Sequence, residues 1–181
     1  MRSFFTLAAF LAAVGPLCAA PAPAREDYQK KADEAPWAWS DERASAADSA
    51  KRMAGDYKAE VEARGMFGRV AIRLVKDGAV VHSFDGHTRT VFAVRDHVLY
   101  YADFGPSSSG CEVVAFDLRA KKQLWKAQLK GLGPIAHTRY SNAVNLDLEK
   151  FAVRVRGKES AGRYVEYVDL KTGKTVGHKK Y

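Results

Sequence analysis

Residues 91–126 can be laid over residues 143–178 at an unbroken offset of 52. Gly105 then falls on Gly157, Ser108 on Ser160, Gly110 on Gly162 and Val113 on Val165. Asp117-Leu118-Arg119 falls on Asp169-Leu170-Lys171, and Lys122 on Lys174. An internal period of this size arises when one supersecondary unit is used twice and neighbouring copies bury a shared core. It constrains the architecture strongly and the chemistry hardly at all.

The content of the unit is β. From Arg69 onward apolar residues recur with period two, the period at which successive side chains of a strand face the same way. Val70, Ile72 and Leu74 alternate, Asp77-Gly78 is a tight-turn pair, and Val80 to Phe84 returns, which predicts a hairpin. Short strands are predicted at Thr90–Val94, Val98–Tyr101, Glu112–Phe116 and Gln123–Ala127, then at Ala143–Leu148, Phe151–Val155, Tyr164–Val168 and Thr175–His178. Each set holds four strands. The expected fold is therefore mostly β, with antiparallel four-stranded repeat units forming a partial β-propeller or a two-sheet sandwich, preceded by one N-terminal α-helix. That helix is placed after Ser40, a capping residue, with Ala47, Ala50, Ala54, Tyr57 and Val61 as its apolar stripe and Gly65 beyond its end.

Within the first copy, Val113-Val114-Ala115-Phe116-Asp117-Leu118 is followed by Lys122-Gln123-Leu124-Trp125-Lys126; the second copy carries Tyr167-Val168-Asp169-Leu170-Lys171-Thr172-Gly173-Lys174. These stretches resemble the repeat of quinoprotein-like (PQQ-type) β-propellers, in which an apolar strand ends in Ala-x-Asp, a turn carries Thr-Gly-Lys and the next strand ends in Trp. The first copy has Arg119-Ala120-Lys121 in place of Thr-Gly, and the second has Gly177 where Trp is expected. The likeness covers residues 69–178, about two and a half blades, against the roughly 4–8 that close a propeller. It implies that the Asp and the turn residues shape a hairpin and that the Trp packs between blades. It supplies no residue for binding a quinone, so no cofactor is expected.

The N-terminus reads as an address. Arg2 is followed by an uncharged apolar run from Phe4 to Val14, then Gly15-Pro16 and the small residues Cys18-Ala19-Ala20. This is the pattern of a signal peptide over residues 1–20, and the run is shorter than the roughly 20 residues that cross a bilayer. The expected location is outside the cytoplasm, periplasmic or secreted. Residues 21–36 read as a linker, residues 37–66 as a docking segment and helix, with Trp37 and Trp39 seated on the domain, and residues 67–181 as the β-repeat domain. Cleavage after Ala20 removes Arg2 and no acid, leaving 28 basic and 21 acidic side chains. A positive surface favours anionic partners. The basic residues are interleaved with acids and form no continuous stripe, which argues against nucleic acid. Only Cys111 remains beyond residue 20, so an internal disulfide is excluded and a packed core must hold the domain.

Two clusters carry candidate chemistry. His82, Asp85 and His87 surround Asp85-Gly86, where two imidazoles and a carboxylate are the donor types of a metal site. His137, Arg139, Tyr140, Asn142 and Asn145 follow Gly133-Pro134 and offer groups that bind a carboxylate or a sugar on a loop rim. No phosphate loop, dinucleotide fingerprint, Cys-x-x-Cys or His-Glu-x-x-His is present. Three readings follow. The first is an exported, non-catalytic binding or scaffold module for a protein or an envelope polymer. The second is a metal-dependent enzyme built on His82, Asp85 and His87. The third is a propeller subunit completed by oligomerisation with further copies.

Overall fold

A computed structural model describes residues 26–35, 45–52, 56–66, 68–104, 111–130, 143–159 and 162–181. The expected signal peptide of residues 1–20, Trp37 and Trp39 lie outside the described residues. Among the described residues, two short helices, α1 (Tyr28–Glu34) and α2 (Ala46–Lys51), precede eleven strands. These are β1 (Lys58–Ala63), β2 (Arg69–Lys76), β3 (Ala79–His87), β4 (Phe92–Arg95), β5 (Val98–Phe104), β6 (Cys111–Asp117), β7 (Lys122–Gln128), β8 (Ala143–Leu148), β9 (Ala152–Glu159), β10 (Gly162–Asp169) and β11 (Thr175–Lys180). They form three antiparallel meanders in chain order: β1-β2-β3, β4-β5-β6-β7 and β8-β9-β10-β11. The expected mostly-β architecture is what the chain adopts, as two four-stranded antiparallel sheets and a three-stranded one.

Period-two alternation explains how the sheets share their cores. In β5, Val98, Tyr100 and Ala102 face the third sheet, where Val144, Leu146, Val153, Val155 and Tyr164 complete one apolar cluster. The intervening Leu99 and Tyr101 face the first sheet and meet Val70, Ile72, Leu74 and Phe84. The second sheet is thus apolar on both faces and is the middle layer, the pattern required of a sheet covered on both sides.

The sequence echo maps strand on strand, with one correction. Between the second and third sheets the final hairpins superpose at the offset of 52, down to a β-bulge after Ala115 in β6 and after Tyr167 in β10. In the leading hairpins the pairing is displaced by two further residues. Val98 faces Asp117, whereas Ala152 rather than Lys150 faces Asp169. Equivalent backbone bonds make the same point: Leu118 N donates to His97 O at 2.9 Å and Leu170 N to Phe151 O at 3.0 Å. The gapless alignment therefore hides a two-residue slip. An even slip keeps every side chain on its face, which is why the alternation survived it. The first sheet carries its own bulge after Leu74, also two residues before a turn, so it is a three-stranded version of the same unit.

The predicted helix over residues 40–62 is only partly helical. Ser45 caps α2, accepting from Asp48 N at 3.1 Å, but Lys58–Ala63 is strand β1 paired along β2. Lys58-Ala59-Glu60-Val61-Glu62 alternates charged and apolar residues, and only as a strand can Ala59 and Val61 reach the core while the charges face outward. Conversely, the segment expected to be a linker contains α1, capped by Asp27 accepting from Lys30 N at 3.0 Å.

α1 closes the far side of the third sheet. Tyr28 and Ala32 are buried against Val165, Tyr167 and Ala152 on its outer face. The Tyr28 ring lies 5.1 Å from that of Tyr167, and its hydroxyl accepts from Phe151 N at 3.1 Å. Gln29 covers the edge of β11: its amide donates to His178 O at 3.1 Å and accepts from His178 N at 3.2 Å, the pair of bonds a neighbouring strand would make. A side chain at Gly177 would overlap the Tyr28 carbonyl. The repeat position held by Trp125 in the second sheet is therefore glycine in the third, where a helix follows in place of another sheet. Trp125 itself joins two sheets, donating from Nε1 to Leu170 O at 2.9 Å and lying over Gly173.

Candidate functional site

On the third sheet the outer face left uncovered by α1 belongs to β8 and β9. In Val153-Arg154-Val155-Arg156 the two valines are fully buried between sheets, so Arg154 and Arg156 must point outward. The register places Asp147 opposite Arg154 and Asn145 opposite Arg156. Arg154 Nη2 lies 2.9 Å and Arg156 Nη2 3.2 Å from the same oxygen, Asp147 Oδ2. Arg154 Nη1 lies 3.4 Å from Glu149 Oε1. Burial opposes the charge on Arg154, but its bond to Asp147 and the nearby charges of Asp147 and Glu149 outweigh burial and raise its pKa. Asn145 Oδ1 is buried and accepts no hydrogen bond among the described residues.

Other elements bring more cations to this hairpin. Arg95, from the end of β4, donates to Leu148 O at 2.6 Å and also to Glu149 O. Lys31 of α1 bonds Glu149 at 2.9 Å and Glu26 at 2.7 Å, and these two carboxylates raise its pKa. Lys150 in the β8–β9 turn lies over the Phe151 ring at 5.0 Å. Lys31, Lys150, Arg154 and Arg156 thus gather beside Glu26, Asp147 and Glu149, leaving the outer side of the hairpin net positive, while Arg95, paired with the inward-facing Val98, braces it from the inner side. Side chains here are about one-third exposed, at 33% for Arg154, 28% for Arg156 and 32% for Asp147. The arrangement presents two guanidinium groups in a fixed row, able to donate to carboxylate, sulfate or phosphate oxygens.

Asn145 is the one member of the predicted loop cluster that falls in this hairpin; His137, Arg139, Tyr140 and Asn142 lie outside the described residues. The arginines that flank it were not singled out from sequence. Their outward direction is legible in the Val-Arg-Val-Arg alternation, but their meeting on Asp147 depends on the β8–β9 register.

The structure does not bring the His82, Asp85 and His87 donors together. His82 faces the second sheet and stacks on Phe116 at 4.0 Å and near Phe84 at 5.8 Å. Burial lowers its pKa. Three residues on, Asp85 points to the opposite face, 84% exposed and 3.5 Å from Arg64. His87 closes the end of β3, where its Nδ1 lies 3.3 Å from Thr88 Oγ1. Among the described residues no group of three His, Cys, Asp or Glu side chains is placed to hold a metal ion.

The remaining polar groups serve the fold. Glu166, fully buried, accepts from Lys130 N at 2.8 Å and from Thr175 Oγ1 at 2.7 Å. Asp117 Oδ1 accepts from Arg119 N and Ala120 N, each at 2.8 Å; Asp169 Oδ1 does the same with Lys171 N at 3.1 Å and Thr172 N at 2.8 Å. Tyr57 Oη and His97 Nδ1, 2.8 Å apart, tie the first sheet to the second. No protein-family model matches the chain, and no curated protein matches it in sequence. Among the described residues no helix is long and apolar enough to cross a membrane.

Proposed function

We propose that this protein is an exported, non-catalytic β-repeat module that binds an anionic envelope polymer through the β8–β9 hairpin. The observation that carries the reading is the row of Arg154 and Arg156 on the outer face of β9, extended by Lys31 of α1 and Lys150 of the β8–β9 turn, four cations beside the three carboxylates Glu26, Asp147 and Glu149. Such a strip attracts repeated negative charge and orients guanidinium groups for oxyanions. Export is supported by the n-region, apolar run and small residues of positions 1–20. The resemblance to quinoprotein-like repeats is supported by the bulged final hairpins, by Asp117 and Asp169 shaping equivalent turns and by Trp125 bridging two sheets.

The test is binding of the mature chain to immobilised polyuronate, polyphosphate and neutral dextran. The reading predicts retention on the two polyanions, loss of most of it in an Arg154→Ala/Arg156→Ala double variant, and none on dextran. Equal retention of the double variant contradicts the assignment to this hairpin. Retention only on an acidic protein moves the partner from polymer to protein. Sequencing the N-terminus of protein recovered from the cell envelope or medium tests export, the expected first residue being Pro21.

A further inference from the structure

Asp147 occupies the place in which an anion would sit. Its Oδ2 receives Nη2 of Arg154 at 2.9 Å and Nη2 of Arg156 at 3.2 Å, from residues two apart on one face of β9. Two outward side chains separated by two residues stand roughly 7 Å apart along a strand, and convergence of both on one oxygen requires that the guanidinium groups lean toward each other. The carboxylate is itself about one-third exposed, so the pair lies at the surface and not in the sheet interface. Lys31 is held by Glu149 and Glu26, and Glu149 also meets Arg154, so positive charge beside the pair is fixed from a further element.

We infer that Asp147 is an internal anion that sets the specificity of this strip. It holds Arg154 and Arg156 in a converged geometry and occupies the point where both can donate to one oxyanion. A single small anion must displace a covalently tethered carboxylate, whose effective concentration is high, and fails. A polymer with many oxyanions adds weak contacts along the hairpin, including one to the exposed Lys150, and does not need that point. Polyanions therefore bind, and isolated sulfate or phosphate does not. This rests on the proposed polyanion function for its biological meaning, but the occupied anion point can be tested without it.

The experiment is a titration of the mature wild-type chain, Asp147→Asn and Asp147→Ser with inorganic sulfate and, separately, inorganic phosphate, read by calorimetry and by the shift of the melting midpoint. Asp147→Asn is nearly isosteric, and Asp147→Ser supplies a second variant should the amide itself occupy the point. The expected result is a gain of about tenfold or more in affinity for either anion in at least one variant, the scale of coupling between close charge pairs. That gain should disappear when Arg156→Ala is added. Sulfate and phosphate binding no tighter to both variants than to wild type overturns the inference, as does a gain that survives Arg156→Ala. If wild type fails to bind polyanions while the variants gain small anions, the functional reading falls and the internal anion stands. The reverse pattern leaves the function standing and removes the internal anion.

Discussion

Trp125 and Gly177 occupy one position of the repeat and show how neighbours dictate residue choice. Trp125 bonds Leu170 O and covers Gly173, whose φ of +68° and a distance of 2.8 Å from the ring to an added Cβ both demand glycine. Trp125→Ala is predicted to cost about 3–5 kcal/mol, read as a lower urea midpoint with an unchanged slope. Gly177→Ala drives a methyl group into the Tyr28 carbonyl and is predicted to cost about 1–3 kcal/mol. His82 yields a pH prediction. Burial holds its folded pKa below the ordinary value, so as pH falls through about 6.5 the unfolded chain binds the proton first. His82 therefore favours the folded state most at higher pH, and that contribution is lost between its unfolded and folded pKa values. Stability measured from about pH 7.5 down to pH 5 should fall less in His82→Phe than in wild type; an unchanged slope contradicts the role given to burial. That His82 belongs to the core and Asp85 to the surface was legible in their odd spacing on a strand. Two imidazoles and a carboxylate near a turn resemble a donor set whatever way they face, because residue type carries no strand direction.

At the scale of elements, the ten strands from β2 to β11 were legible because alternation and turns marked by Gly and Asp are local signals. β1 and α1 were not. Lys58–Ala63 carries both a helical and a strand period, and only the presence of β2 beside it decides between them. Tyr28–Glu34 is a polar, seven-residue stretch whose helicity comes from docking Tyr28 and Ala32 rather than from its own propensity. The two-residue slip inside the repeat was hidden because a gapless match in the final hairpin dominates the alignment. Docking makes α1 a local cap with a local signature. Tyr28→Ala removes the Tyr167 contact and the Phe151 bond, and is predicted to raise amide exchange of β10 and β11 while leaving β2 and β6 near wild-type protection. Uniform loss of protection across all three sheets would show that α1 is part of the global folding unit.

For the whole molecule, repetition raises the question of how a stack of sheets ends. One end is closed by α1 and by Gln29 on the β11 edge. The outer face of the first sheet carries Arg73 on Glu62 at 2.5 Å and Arg64 near Asp85, a mixed-charge surface unsuited to stacking on an apolar sheet. The mature chain is accordingly predicted to sediment as a monomer, and a concentration-dependent shift to larger species would favour a propeller completed by assembly. With its ends closed, the third sheet still presents the arginine strip of β8 and β9 to solvent. The most direct test of the account is the salt dependence of binding to polyuronate, measured for wild type and for Arg154→Ala/Arg156→Ala. Log affinity is expected to fall linearly with log salt, and the double variant to bind more weakly with a slope shallower by roughly one to two. The same affinity and slope in both proteins would contradict it.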